Sequence, residues 1–343
     1  MKNMDISTFL ATIASGTASI VLASSISGAI SKLAAFLYLK SKNQTVELLK
    51  SHTLNEVAKE MLANGELSHS EYYKLDNLSK VAEKADVYYA KIKEGGKSDD
   101  SDKQKFDVDW YLRFFECVGN IGNEELQDIW AKVIGGAPFN KGGFSLRALE
   151  TLYNMTPNEA GIFDTLMPFV TFSGSMYFII YDDFFSSTFG AYKSGYNPMQ
   201  KDNILEFDKI LLMEECGLLK NLPIAFDTAE IKDSFEIGND EILGVITKKK
   251  KSKQIEISGY ALTSIGIQFY DAFSIVNKAK MTHGYDDEAC KKDPNLYFLL
   301  CLNGLKKKYK DIEVRAHLIK QPYDRNDVSN RTVNSADLLT AFK

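Results

Sequence analysis

The chain has 343 residues, of which 45% are apolar and 25% are charged, and its formal net charge is −5 at pH 7. These values are typical of a globular protein with two domains, or with one domain and a helical extension. The acidic balance excludes a protein that binds nucleic acid over its whole surface, but it leaves room for a local basic patch.

The first 42 residues stand apart because no charged residue occurs from Ile6 to Ser31. That length suits a membrane span of about 20 residues, whereas the many serines and threonines lower its hydropathy. Small residues such as Ser24 and Gly28 recur at four-residue spacing, which lets helices approach closely. We therefore predict a helical segment that either inserts into a membrane or packs within a soluble homo-oligomer. The residues expected to make these contacts are Phe9, Ile13, Gly16, Ile20, Val21, Leu22, Ile26, Gly28 and Ile30.

Lysines follow the uncharged segment at positions 32, 40 and 42. Because positively charged flanks stay on the cytoplasmic side of a membrane, we expect the rest of the chain in the cytoplasm. The predicted localisation is therefore cytoplasmic, with attachment to the inner membrane through residues 6–31 in the membrane interpretation.

Residues 43–93 form a predicted helical region, because apolar residues recur there at helical spacing. Asn64 and Gly65 are typical of a helix end and divide the region into two helices. Residues 94–106 are nearly all polar and include two glycines, so we predict a linker and a domain boundary there.

Residues 107–320 have the pattern of an α+β domain. Helices come first, with Asp109, Asn123 and Ser145 as predicted N-caps. Strand-like segments follow, and residues 321–343 are polar and are predicted to be a loose tail.

Two of the strand-like segments, 241–247 and 254–258, flank a lysine-rich tip and predict a basic β-hairpin. A helix precedes this hairpin and another follows it, which is compatible with a winged-helix-like module. The predicted fold class is thus α+β, with a mainly helical N-terminal half and a winged-helix-like C-terminal module.

Three sequence blocks resemble a bacterial family known as domain of unknown function 2806. They are residues 109–115 (D-W-Y-L-R-F-F), 122–134 (G-N-E-E-L-Q-D-I-W-A-K-V-I) and 143–149 (G-F-S-L-R-A-L). Residues 214–219 (E-E-C-G-L-L) and 262–266 (L-T-S-I-G) resemble later elements of the family. The resemblance implies a setting in anti-phage defence rather than a defined activity.

Trp110, Phe114, Phe115 and Trp130 lie at core spacing on two neighbouring predicted helices, so we expect them to pack together. Arg147 lies near a helix start and is predicted to pair with Asp109, Glu124 or Glu125, because a buried guanidinium needs a carboxylate partner. An anion-binding role for Arg147 is the alternative. The residues assigned to this predicted latch are Asp109, Trp110, Glu125, Trp130 and Arg147.

A lysine cluster is the strongest charge feature of the chain. It consists of Lys248, Lys249, Lys250, Lys251 and Lys253, and it is either a solvated loop or a contact for nucleic acid or anionic lipid. The lysines at 306–308 and 310 extend the same patch in the second interpretation.

The sequence carries no recognisable catalytic motif. It lacks a G-x-S-x-G sequence, a Walker loop and a G-x-G-x-x-G sequence. Asp182 and Asp183 follow a predicted strand, as acids of a metal-dependent nuclease do, but no downstream E-x-K accompanies them. The four cysteines form no C-x-x-C pair, and we expect reduced thiols. We therefore expect no catalytic residue, metal or cofactor.

The leading functional hypothesis is a non-enzymatic, defence-type effector or sensor that self-associates and acts at the membrane through its N-terminal helix. One alternative is a soluble module that binds nucleic acid through residues 248–253. A second alternative is a metal-dependent nuclease that lacks the usual motifs. The expected partners are a second copy of the chain, membrane lipid, and a nucleic acid or phage-derived trigger.

Overall fold

The computed structural model divides the chain into two compact units. The first unit comprises residues 1–161 and 268–282, and the second comprises residues 162–267 and 283–343. The residues that the structure describes are Ser27, Ile30, Ala34, 52–94, 108–136, 143–180, 207–221, 224–226, 234–248, 255–277, 294–319 and 336–342.

Helices dominate the N-terminal half and strands the C-terminal half, which confirms the α+β fold class. The helices are α1 (Leu54–Ala63), α2 (His69–Glu94), α3 (Val108–Gly119), α4 (Glu124–Gly136), α5 (Leu146–Asn154), α6 (Pro157–Leu166), α7 (Phe207–Glu215), α8 (Ser264–Asn277) and α9 (Pro294–Lys308). The strands are β1 (Val170–Ser173), β2 (Met176–Ile180), β3 (Leu219–Asn221), β4 (Ile224–Phe226), β5 (Ser234–Gly238), β6 (Ile242–Lys248), β7 (Ile255–Ile257), β8 (Gly259–Leu262) and β9 (Ile312–Leu318). Short 3-10 helices lie at Met167–Phe169 and Leu338–Phe342.

Helix α2 is the central helix of the first unit, because α1, α3 and α4 all pack against it. Leu75, Leu78, Ala82 and Ala85 give it a fully buried apolar stripe at helical spacing. Helix α4 crosses closely at Gly135, where a Cβ atom would lie 2.8 Å from the carbonyl oxygen of Ala85. The small side chains of both helices therefore allow this close crossing.

The units do not divide at the predicted linker of residues 94–106. Helices α3 and α4 follow that segment and pack on α2, which precedes it, so both sides of the segment share one apolar core. The division lies instead between residues 161 and 162, inside α6.

The predicted helix starts are mostly confirmed. Asn123 accepts the N–H of Leu126 at 3.0 Å, and Ser145 accepts the N–H of Ala148 at 3.2 Å. Asp109 differs, because α3 begins at Val108 and places this carboxylate inside the first turn. The helix dipole still favours a negative charge at that position.

The second unit is built on a seven-stranded sheet with the order β3-β8-β2-β1-β5-β6-β9. All of its pairs are antiparallel. Helix α9 packs beside β9 and places Leu302 against Gly244 of β6, where a Cβ atom would lie 2.7 Å from the leucine side chain. Phe298, Leu302 and Leu305 of α9 are at most 1% exposed, so this helix closes the core of the unit.

The predicted β-hairpin between residues 241–247 and 254–258 is wrong. Strand β6 pairs with β5 and β9, whereas β7 pairs with β4 in a separate two-stranded sheet. Both segments are strands, as predicted. Strand β6 forms its hairpin with the preceding strand β5, whereas its other neighbour β9 and the partner of β7 are distant in sequence. The winged-helix-like module, which depended on this hairpin, is not confirmed.

Part of the predicted loose tail is ordered against the sheet. Asp337 accepts the N–H of Ala316 on β9 at 3.0 Å, and its neighbour Leu339 is 3% exposed. The carboxylate satisfies a backbone group of β9, which is an edge strand of the sheet.

A compact junction joins α7 and β3 to the start of α8. Gly217 has a φ angle of 73°, and the hydroxyl of Thr263 donates to its carbonyl at 2.6 Å. The N–H of Thr263 donates to the carbonyl of Leu218 at 3.0 Å. A Cβ atom at Gly266 would lie 2.1 Å from that carbonyl oxygen, so the junction requires a residue without a side chain.

Substituting Gly266 tests this junction. We expect Gly266→Ala to destabilise the protein by about 2 kcal/mol or more, because the methyl group meets backbone rather than a flexible side chain. The matched control is Gly161→Ala within α6, where a Cβ atom meets nothing within 4 Å. Alanine should stabilise that helix by about 0.5–1 kcal/mol. Urea unfolding midpoints measure both changes, and equal midpoints would contradict the close approach.

Candidate functional site

Aromatic side chains of α3 and α4 form the core of the first unit. The ring of Phe114 stacks on Trp110 at 5.5 Å between centroids, and it meets Trp130 edge-on at 5.7 Å. Phe115 lies beside Phe114 at 5.8 Å. The prediction that these four residues pack together is confirmed. Trp110 also donates its ring N–H to the carbonyl of Phe144, which ties the cluster to the start of α5.

Buried amides connect this cluster to α2. Gln127 donates to the side-chain oxygen of Asn77 at 3.2 Å and to the carbonyl of Ile121 at 2.9 Å. Asn77 in turn donates to the carbonyl of Gly119 at 3.0 Å. Asn77 and Gln127 are each 1% exposed, so these bonds satisfy groups that water does not reach. Gln127 precedes Trp130 by three residues and so lies on the same face of α4. A polar residue on that apolar face is the feature of the sequence that indicates a buried amide.

The predicted latch through Arg147 differs from the observed contacts. Arg147, Asp109 and Glu125 are all exposed. Helices α3 and α5 are joined instead by Arg113, whose guanidinium donates to both carboxylate oxygens of Glu150. The pair is Arg113–Glu150 rather than one with Arg147, because the rotation of α3 and α5 about their axes decides which charges face each other. The sequence pattern does not set this rotation.

The Arg113 pair is partly solvated, with side-chain exposures of 34% for Arg113 and 44% for Glu150. Arg113 also donates to Glu116 at 2.8 Å. Hydrogen bonds from the guanidinium hold the pKa of Glu150 below its usual value of 4.5. The pair therefore orients α5 on α3 and adds little more, as is usual for solvated ion pairs.

A buried lysine lies on the opposite side of α4. Lys132 is 7% exposed, and its ammonium lies 3.8 Å from Asp128 and 5.7 Å from the ring centroid of Phe273. Tyr88 of α2 donates to both oxygens of Asp128, at 2.7 and 2.8 Å. The ammonium therefore lies between a carboxylate and an aromatic ring, and the Tyr88–Asp128 bond joins α4 to α2.

The N-terminal segment contacts α2 at Asp86. The backbone N–H of Ser27 donates to one carboxylate oxygen at 3.1 Å, and the Ser27 hydroxyl donates to the other. Ile30 and Ala34 follow at helical spacing and are 3% and 0% exposed. We call Ser27, Ile30, Ala34 and Asp86 the N-terminal docking contact. Asp86 shares a helix face with buried Ala82 and Tyr89. A carboxylate on that apolar face is the feature of the sequence that indicates a polar contact there.

Among the predicted contact residues of this segment, Ile30 is the one that the structure describes. Phe9, Ile13, Gly16, Ile20, Val21, Leu22, Ile26 and Gly28 lie outside the described residues. Of the helices within the described ranges, none combines the length and apolar character that crossing a bilayer requires.

The remaining predicted sites fall partly outside the described chain. Lys248 ends β6, whereas Lys249, Lys250, Lys251 and Lys253 are not described, nor are Asp182 and Asp183. Within the described ranges, no group of three or more histidine, cysteine, aspartate or glutamate side chains is placed to hold a metal ion. Cys117, Cys216 and Cys301 are not in disulfides, and burial raises the pKa of Cys117 to about 11.

Comparison with known proteins gives one match. The model of a family described as "Protein of unknown function (DUF2806)" matches residues 70–282, which is more than half of the chain. The chain belongs to this family. No curated protein matches it, and no solved structure matches it.

The sequence blocks that resemble the DUF2806 family are structural in this member. The first two blocks supply the aromatic cluster and Gln127, and the third supplies Phe144 and the N-cap Ser145. The backbone N–H of Ser145 also donates to Gln268 of α8 at 2.7 Å. The two later elements meet each other at the junction of Gly217 and Thr263. These residues therefore stabilise each unit.

Removing one buried amide tests the connection between α2 and α4. Gln127→Leu leaves the Asn77 oxygen and the Ile121 carbonyl unpaired, at about 1–3 kcal/mol for each group. We expect the double variant Asn77→Leu/Gln127→Leu to cost less than the sum of the two single variants, because each single change breaks the bond between the two amides and leaves the other amide with one hydrogen bond fewer. Urea unfolding of all four proteins measures the coupling, and additive costs would show that the amides do not interact.

The Arg113–Glu150 pair predicts a pH-dependent difference in stability. Because its pKa is lowered in the folded protein, Glu150 stabilises the fold above the pKa it has when unfolded and loses this effect as pH falls through the folded pKa. The melting temperature of Glu150→Gln should therefore be below wild type at neutral pH and converge with it in acid. The control Glu60→Gln, at an exposed position of α1, should have the same melting temperature as wild type at neutral pH and in acid.

Proposed function

We propose that this DUF2806 member is a non-enzymatic sensor or effector that self-associates through its N-terminal segment, and that its helical unit controls the segment. The observation that carries the proposal is the N-terminal docking contact. This contact supports a model in which the segment is docked on the helical unit in one state and is available for assembly in another.

The docking contact covers a face of the segment that is unfavourable to expose. Residues 6–31 carry no charge, and Ile30 and Ala34 lie within or next to them with almost no exposure. Full burial of an isoleucine stabilises by about 1.5–3 kcal/mol. A hydrogen bond to a charged group such as Asp86 contributes about 1.5–3 kcal/mol.

Energies of this size permit exchange between a docked and an assembled segment. A partner that binds the undocked form more tightly by several kcal/mol would shift the population toward assembly. The small residues at four-residue spacing, such as Ser24 and Gly28, suit close helix association between copies. A phage-derived molecule is the type of trigger that the family resemblance suggests.

A non-enzymatic role agrees with the use of the polar side chains described above. Gln127 and Asn77 are paired inside the core, Arg113 and Glu150 pair at a helix contact, and Thr263 caps α8. Each of these groups has a structural partner within its own unit.

Substituting Asp86 tests the control of the segment. We expect Asp86→Ala to free the segment, because both acceptors of Ser27 are lost. Limited trypsin digestion should then cleave faster after Lys32, which lies between Ile30 and Ala34. The full-length variant should also form larger species in size-exclusion chromatography with light scattering. The matched control Glu60→Ala removes an exposed carboxylate of α1 and should behave as wild type.

Two further outcomes would decide against the proposal. Equal cleavage rates in wild type, Asp86→Ala and Glu60→Ala would show that Asp86 does not hold the segment. If Asp86→Ala forms assemblies with the same number of copies with and without residues 1–42, the segment does not assemble copies. Membrane fractionation of Asp86→Ala distinguishes assembly in solution from insertion into lipid.

A further inference from the structure

Lysines from two distant parts of the sequence lie at one end of the sheet in the second unit. Helix α9 ends with Lys306, Lys307 and Lys308, and Lys310 lies in the turn to β9. Strand β6 ends at Lys248, which pairs in register with Ile312 at the start of β9. The end of β6 therefore lies beside the turn that carries the second lysine group.

Tyr309 attaches a second strand to the same turn. Its hydroxyl accepts the N–H of Glu256 on β7 at 3.0 Å and donates to the carbonyl of Glu256 at 3.1 Å. Strand β6, which leads into the lysine-rich residues 248–253, and strand β7, which follows them, are thus both held next to the end of α9.

The charges at this turn are predominantly positive. Lys306, Lys307, Lys308 and Lys310 are exposed, and we call them the α9 lysine group. The exposed acids of the turn and of β7 are Asp311 and Glu256. Glu313 is engaged by Arg315 at 2.7 Å. A net positive surface thus occurs on a chain whose total charge is −5.

The structure favours a dissolved polyanion over a bilayer at this surface. Binding to a lipid surface is strengthened by apolar side chains that enter it next to the basic residues. Among the described residues of the second unit, the exposed large apolar side chains are Met176, Leu211 and Leu318. Leu318 pairs with Ile242, at the opposite end of β6 from Lys248.

The other two apolar residues are also placed away from the lysines. Met176 lies in the sheet row next to the one that joins Phe172 to Gly238. Gly238 in turn pairs with Leu243, so Met176 lies toward the Ile242 end of β6. Leu211 belongs to α7, which contacts β3 at the other edge of the sheet.

We propose that the α9 lysine group is a contact surface for the phosphate backbone of nucleic acid, without sequence preference. Lysine is a compact, hydrated point charge that binds phosphate without reading bases. The surface is separate from the N-terminal docking contact, so its test does not depend on the function proposed above.

The test measures binding of the full chain to a short fluorescein-labelled DNA duplex by anisotropy over a range of salt concentrations. We expect Lys306→Ala/Lys307→Ala to weaken binding about tenfold at moderate salt and to reduce the slope of log K against log salt by about 2, because two phosphate contacts are lost. The conservative variant Lys306→Arg/Lys307→Arg should bind as wild type does. The matched control Lys59→Ala/Lys220→Ala removes the same charge from exposed positions on α1 and β3.

Three results would overturn the proposal. The first is absent or salt-independent binding, and the second is an equal loss in both alanine pairs. The third is binding to vesicles that contain phosphatidylglycerol without binding to the duplex, which would assign the lysines to a lipid surface. Circular dichroism of the variants confirms that each retains the wild-type fold.

Discussion

The helical unit depends on one requirement, that the amides of Asn77 and Gln127 be paired inside an apolar core. A buried amide without a partner is costly, so these two side chains determine how the turn between α3 and α4 lies on α2. Once Gln127 is placed, Trp130 one turn later meets Phe114, and Trp110 reaches the carbonyl of Phe144. The start of α5 follows from that bond.

The blocks that match the DUF2806 family have structural roles in this chain. The matching blocks supply aromatic rings, a buried amide, a helix cap and the Gly217–Thr263 junction. The features that we propose to be functional use other residues. The N-terminal docking contact depends on Asp86 of α2, which lies outside the matching blocks. The α9 lysine group lies beyond residue 282, where the family match ends.

Local predictions were accurate where a residue acts on its own helix. Asn123 and Ser145 cap helices as expected, because a side-chain oxygen reaches an N–H two or three residues later whatever the rest of the chain does. The aromatic cluster was also predictable, since its members repeat at helical spacing on adjacent helices. Asp86 and Gln127 were detectable as polar residues in apolar stripes, but their partners were not.

Long-range partners escaped prediction for a common reason. Strand β6 pairs with the preceding strand β5 on one side, and on its other side it pairs with the distant strand β9 rather than with β7. Arg147 and Arg113 had equally suitable acids nearby, and the rotation of α3 and α5 selected Arg113 and Glu150. The linker-like composition of residues 94–106 did not separate two domains, because helices on both sides share one core.

The α+β class, the helix starts, the aromatic core and the family were predictable, because these depend on spacing along a single chain segment. Only the folded chain shows that β6 lies beside β9 and β7 beside β4, that Arg113 pairs with Glu150, and that Ser27 contacts Asp86. Each of these depends on a contact between distant segments, for which the sequence offers many chemically equivalent partners and the packed core accepts one.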